Sequence, residues 1–108
     1  MLTVTTHQRD GIALLHCQGR IVRGEEDSLL CAAIEHHGRE VILDLGQVSA
    51  IDAAGVGALV SLQAAGIYLK LMNPTEPVRT VLKLTGMETV LEVFEGRGED
   101  ALEEVGLG

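Results

Sequence analysis

Val41-Ile42-Leu43-Asp44-Leu45-Gly46-Gln47-Val48-Ser49-Ala50-Ile51-Asp52-Ala53-Ala54-Gly55-Val56-Gly57-Ala58-Leu59-Val60 is the stretch around which the 108-residue chain is arranged. Val41 to Leu45 is apolar except for Asp44. That composition predicts a buried strand with apolar side chains on both faces. Gly46 and Gln47 then predict a turn. Asp52 fits a helix N-cap, its carboxylate accepting the free backbone N–H of Ala54 or Gly55. A helix is expected from there to about Ala65.

The first turn of that helix is made of small residues: Ala53, Ala54, Gly55, Gly57 and Ala58. At helical spacing Ala54, Ala58, Ser61 and Ala65 share one face, while Val56, Leu59 and Val60 fall roughly opposite and are expected on the sheet. Two readings stand side by side. The small face lets another backbone approach closely at the positive end of the helix dipole, or it only relieves crowding beside a neighbouring loop.

The formal net charge is −8, and the chain has one Tyr, one Phe and no Trp. Base-stacking nucleic-acid binders use exposed aromatics in basic grooves, and phosphate-rich surfaces attract basic ones. Nucleic acid and anionic membranes are therefore excluded as expected partners. No basic segment followed by an apolar core opens the chain, and no apolar run approaches the roughly 20 residues of a membrane-spanning helix. A cytoplasmic location and a single domain over 1–108 are expected. Cys17 and Cys31 have no metal-type spacing and make no disulfide framework, so both are expected as reduced, buried thiols.

In chain order, Leu2, Val4 and Thr6 alternate with Thr3, Thr5 and His7 as in a strand, and Asp10-Gly11 signals a hairpin into a second strand from Ile12 to Gln18. A loop is expected from Gly19 to Gly24. Glu25, Glu26 and Asp27 then open a helix with Leu29, Leu30, Ala33 and Ile34 as its core stripe, ending near Gly38. His36-His37 complements the dipole at its last turn, and His7 and His16 supply no ligand set, so no metal site is expected. Ile67 to Met72 is a strand, with Ile67, Leu69 and Leu71 on one side and Tyr68, Lys70 and Met72 on the other. Asn73-Pro74 ends it. Thr75 fits an N-cap, with Glu76 and Pro77 in the first turn of a helix whose stripe is Val78, Val81, Leu82 and Leu84 and whose stop is Gly86. Val90 to Phe94 is a short strand, and Glu99 to Val105 a terminal helix with Leu102 and Val105 inward. The expected fold is α/β: a mixed sheet, with an N-terminal hairpin and parallel strands, flanked by about four helices.

Taken together, these residues resemble a STAS domain, and more closely a bacterial anti-sigma factor antagonist. The resemblance covers nearly the whole chain. It is carried by Leu43-Asp44-Leu45 and Val48 to Gly57, above all Ile51-Asp52-Ala53-Ala54-Gly55-Val56-Gly57. Gly19-Arg20-Ile21, Asn73-Pro74 and Val78 to Gly86 support it. It implies a protein without catalysis of its own that docks on a serine kinase doubling as an anti-sigma factor, through the surface around the start of the central helix. It also implies that phosphorylation of a Ser or Thr immediately before the motif's Gly ends the interaction, since a phosphate adds roughly −1.5 to −2 charges that docking must desolvate. This chain departs from that pattern. Ala54 stands before Gly55 and Ala53 before it, so neither offers a hydroxyl, and Val22 stands where antagonists often carry an acid.

Three explanations compete. The chain is a permanently unphosphorylated antagonist; or it is a STAS subunit of an ABC-type transport complex or of a signalling scaffold; or its phosphoacceptor has moved to Ser49, Ser61 or a nearby Thr. No nucleophile elbow or phosphate-cradling glycine loop is present, so no enzyme activity and no cofactor are expected. The expected partner interface is Ala53, Ala54, Gly57, Ala58 and Ser61, with Asp52 and Gly55 holding its geometry. A shallow anion site at the helix start is physically reasonable, and the apolar small-residue face also allows a homodimer.

Overall fold

The computed structural model describes residues 1–37 and 40–96. Strand β1 (Leu2–Arg9) turns at Asp10 and Gly11, whose φ of 52° and 82° are the pair that a tight two-residue hairpin needs, into β2 (Ile12–Ile21). Helix α1 (Glu25–His37) leads to β3 (Glu40–Ile51), helix α2 (Ala53–Ala64), β4 (Tyr68–Met72) and helix α3 (Glu76–Thr85). A 3₁₀ turn at Met87–Thr89 precedes β5 (Glu92–Phe94). The five strands lie in the order β1-β2-β3-β4-β5, β1 antiparallel to β2 and the others parallel. This is the predicted hairpin-plus-parallel mixed sheet.

The three helices among the described residues each send apolar side chains into one cluster on one face of the sheet. Leu30 and Ile34 come from α1, Val56, Leu59 and Leu62 from α2, and Val78 and Leu82 from α3. They meet Leu2, Ala13, Leu15, Cys17, Val41, Leu43, Leu45, Leu69 and Leu71. Each such Leu, Ile or Val contributes about 1.5–3 kcal/mol of burial. The opposite face holds a smaller cluster of Ile12, Leu14, Ile42 and Met72 with Phe94 packed against it. Apolar side chains on both faces of β2, β3 and β4 explain why the central strand is an almost unbroken apolar run.

Several expectations are corrected. Gly46 and Gln47 do not turn the chain: β3 continues to Ile51, because its backbone keeps pairing with β2 across two register shifts. β2 likewise runs through Gly19 to Ile21 rather than ending at Gln18. Gly19 sits at φ 116°, and a Cβ there would lie 2.0 Å from the Met1 carbonyl oxygen, so only glycine lets the strand pass. Leu29 is 48 % exposed and Leu84 82 % exposed, so neither joins its helix's core stripe. Leu29 lies about 100° round its helix from Leu30, and Leu84 about 200° round from Leu82. Thr75 holds the N-cap position of α3 but donates its hydroxyl to the Val48 carbonyl at 2.6 Å instead of capping. Three α-helices and the 3₁₀ turn stand among the described residues. The helix expected at Glu99–Val105, with the segments 97–98 and 106–108 and the stop at Gly38, lies outside them, as do the side chains of Glu25, Glu26, Asp27 and His37.

Candidate functional site

The start of α2 is built from Asp52 outward. Asp52 is extended (φ −113°, ψ 177°), and its Oδ1 accepts the Gly55 N–H at 2.8 Å, as an N-cap does. Its Oδ2 accepts the Arg23 N–H at 3.0 Å, and its own N–H donates to the Ile21 carbonyl at 3.3 Å. One residue thus ties the helix start to the end of β2 through its backbone and to the loop after it through its side chain. The backbone N–H of Arg23, then that of Gly55, holds the Asp52 carboxyl below its ordinary value. No residue of α2 itself is charged.

The two motif glycines play different parts. Gly55 is buried, and a Cβ on it would lie 2.5 Å from the Ile21 carbonyl oxygen and 2.9 Å from Ile51 Cγ1. The helix crosses the end of β2 so closely that only glycine fits. Gly57 is exposed, and a Cβ there meets nothing within 4 Å. Its absence of a side chain is not required by the packing of the described residues. Of the remaining expected interface residues, Ala53 and Ser61 are exposed and Ala54 and Ala58 half-buried. The fold brings all five to one uncharged helix surface. Opposite them, Val56 and Leu59 enter the core and Val60 packs against it, as expected, and Leu62 enters the core with them. Gln63, which faces the core side, donates its amide to the Val90 carbonyl at 2.9 Å and so joins α2 to the approach to β5.

By sequence spacing His7 and His16 supply no ligand set, and Asp44 is the one polar residue of the predicted buried strand. The structure joins them. His16 Nδ1 lies 2.7 Å from Asp44 Oδ2, and the His7 and His16 rings meet edge to face at 5.3 Å. The signal was available: an Asp10-Gly11 turn pairs His7 with Leu14 and Thr5 with His16, which makes the two histidines diagonal neighbours on one face. No group of three or more metal-ligating side chains stands among the described residues. Cys17 is buried beneath the helices, and burial, with Asp44 adding, pushes its thiol up to about 12. A surface cleft of about 540 Å³ lies elsewhere, lined by Glu76, Arg79, Thr80, Lys83 and Glu88 among others. It mixes both charge signs and is remote in sequence from α2. No helix among the described residues is long and apolar enough to cross a membrane.

Comparison with known proteins agrees with this architecture. The chain is 31% identical over 70 residues to a Thermotoga maritima protein named "Putative anti-sigma factor antagonist". That match spans 61% of this chain and 61% of the relative's length. A crystal structure of a Thermotoga maritima protein described in the same words superposes with a TM-score of 0.76 at 22% identity, covering 94% of this chain and 93% of that one. The anti-sigma factor antagonist SpoIIAA in its unphosphorylated form superposes at 0.77 and 18% identity, over 95% and 96% of the two chains. At such identities the structures establish a common fold. The STAS domain family model matches residues 3–99, and on that match the chain belongs to the STAS domain family.

Proposed function

We infer that this STAS domain is a non-enzymatic interaction module of the anti-sigma factor antagonist type, and that it binds an anti-sigma factor that is also a serine kinase. Binding is through the start of α2. Ala53, Ala54, Gly57, Ala58 and Ser61 make the contact face, while Asp52 and Gly55 hold it in place. The observation that carries this reading is the uncharged, small-residue surface of α2, whose start Asp52 caps through Oδ1 and fixes to the loop after β2 through Oδ2 and to Ile21 through its backbone N–H. The kinship with proteins named as anti-sigma factor antagonists supplies the class of partner. SpoIIAA has been solved in phosphorylated and unphosphorylated forms. In this chain the residue before Gly55 is Ala54, which carries no hydroxyl. The module therefore stays competent to bind, unless a phosphate is placed on another residue such as Ser49 or Ser61, both exposed.

Affinity capture from source lysate with ATP and with ADP, read by mass spectrometry, tests this reading. Nucleotide-dependent recovery of a kinase-like anti-sigma factor is expected. Ala54→Glu places a charge in the contact face that must be desolvated on docking, so affinity for that partner falls at least tenfold, measured by calorimetry. Unchanged affinity would remove the α2 start from the interface. Stoichiometric capture of transporter or scaffold subunits instead would assign the domain to such an assembly.

A further inference from the structure

β3 carries more residues than β2 along their shared ladder. The parallel register holds up to His16↔Asp44, steps by one before Gln18↔Gln47, and steps by one again between Gly19↔Val48 and Arg20↔Ala50. Such bulges are rare in parallel pairs and re-aim the side chains beyond them. Here the buried residues that β3 sends to the helix-covered cluster are Val41, Leu43, Leu45, Val48 and Ile51. The inward spacing changes from two to three at each step, so the bulges keep apolar side chains on the helix-covered face. They also decide which residues reach the top of the sheet. Two steps at about 3.3 Å per residue shift the end of β3 by roughly 6–7 Å against β2. This aligns Ile51 with Ile21 and brings Asp52 to the Ile21 carbonyl and the Arg23 N–H.

A side chain marks each step. At the first, Asp44 Oδ1 accepts the Gly46 N–H at 3.0 Å, while Oδ2 meets His16 Nδ1. At the second, Ser49 is the extra residue. It is exposed and has no opposite number in the ladder, and its Oγ donates to the Gly19 carbonyl at 3.2 Å. We propose that Ser49 is a positioning residue for the start of α2: its hydroxyl holds the second bulge, and through it the alignment of Asp52 and Gly55 with the end of β2. Its consequence for partner binding rests on the interaction reading above, whereas the alignment belongs to the free chain.

Amide hydrogen exchange by NMR on the free chain separates the two. In Ser49→Ala, the amides of Arg23, Asp52 and Gly55 are expected to exchange about 3- to 10-fold faster, the range that loss of one hydrogen bond gives. The buried amides of Leu43 and Leu71 should change by less than about twofold. Ser49→Thr, which keeps the hydroxyl, should restore the slow exchange. An equal acceleration at every amide would make Ser49 a general stabiliser and overturn the proposal, as would no change at Asp52 and Gly55 or failure of Thr to rescue. If the exchange pattern appears but Ala54→Glu leaves partner affinity intact, the positioning role stands and the docking reading falls.

Discussion

At the scale of single residues, the two glycines of the α2 motif make the sharpest contrast. Gly55→Ala drives a methyl to 2.5 Å from the Ile21 carbonyl oxygen, backbone that has no rotamer to escape to. It should cost about 2 kcal/mol or more, as overpacking does, measured as a fall in the urea midpoint. Gly57→Ala meets open space and removes a helix-weakening residue. It should raise stability by about 0.5–1 kcal/mol in the same assay. Asp52 adds a pH dependence whose sign is set by its partners. Its folded carboxyl titrates below the ordinary value of 3.8, so its contribution is present above that value and lost as pH falls through the folded one. Asp52→Asn keeps a capping oxygen without the charge. Between pH 5 and 3 the wild type should therefore lose more stability than this variant, and salt should narrow the difference because the carboxylate is largely exposed. Parallel loss in the two proteins would show that Asp52 does not govern the acid limb.

The elements show how far periodicity carries. In α3 the apolar residues Val78, Val81, Leu82 and Leu84 look equivalent in sequence, yet Leu82 is 2 % exposed and Leu84 82 %. Two positions along a helix are about 200° apart, so both cannot face the core. Leu82→Ala should cost about 2–5 kcal/mol, and Leu84→Lys less than about 0.5 kcal/mol, in thermal or denaturant unfolding. Comparable losses would mean that α3 is rotated from the orientation described. The end of β4 shows another element-level device. Asn73, at φ 53°, donates its side-chain amide to the Gly96 carbonyl at 2.8 Å and accepts the Gly96 N–H at 3.0 Å, prolonging the β4–β5 pairing beyond the strands themselves. Tyr68 and Lys70 both engage Glu92 across the same pair of strands.

Across the whole molecule the sheet separates two environments. One face lies under three helices, and the other carries the smaller cluster beside the His7–His16–Asp44 group. Cys17 belongs to the helix-covered side, where burial raises its thiol to about 12. At pH 8 almost none of it is thiolate, and the reagent has no access. Alkylation of Cys17 in the folded chain should therefore run at least about 100-fold slower than in urea, followed residue by residue with mass spectrometry. Labelling at the unfolded rate under native conditions would contradict its place in the core. The pH 8 experiment also reports global opening, because only loss of the helix layer exposes this thiol.

Sequence by itself determined the order of elements from β1 to α3, the hairpin at Asp10-Gly11, the Asp52 cap and the small uncharged surface of α2. All of these rest on contacts between residues close in the chain, or on period and composition. Tertiary structure decided the rest. Gly46 resembles a turn residue by propensity, but pairing with β2 and the pull of Val48 and Ile51 toward the core keep the strand going through two bulges. Leu29 and Leu84 are apolar enough for a core, and only the orientation of the finished helix over the sheet leaves them outside it. The need for Gly55 rather than Gly57 comes from the carbonyl of Ile21, a residue far away in sequence. Thr75 and Gln63 found partners in Val48 and Val90 that no local pattern could name. A register shift and a helix crossing are fixed by what packs across the sheet, and that information is long-range by nature.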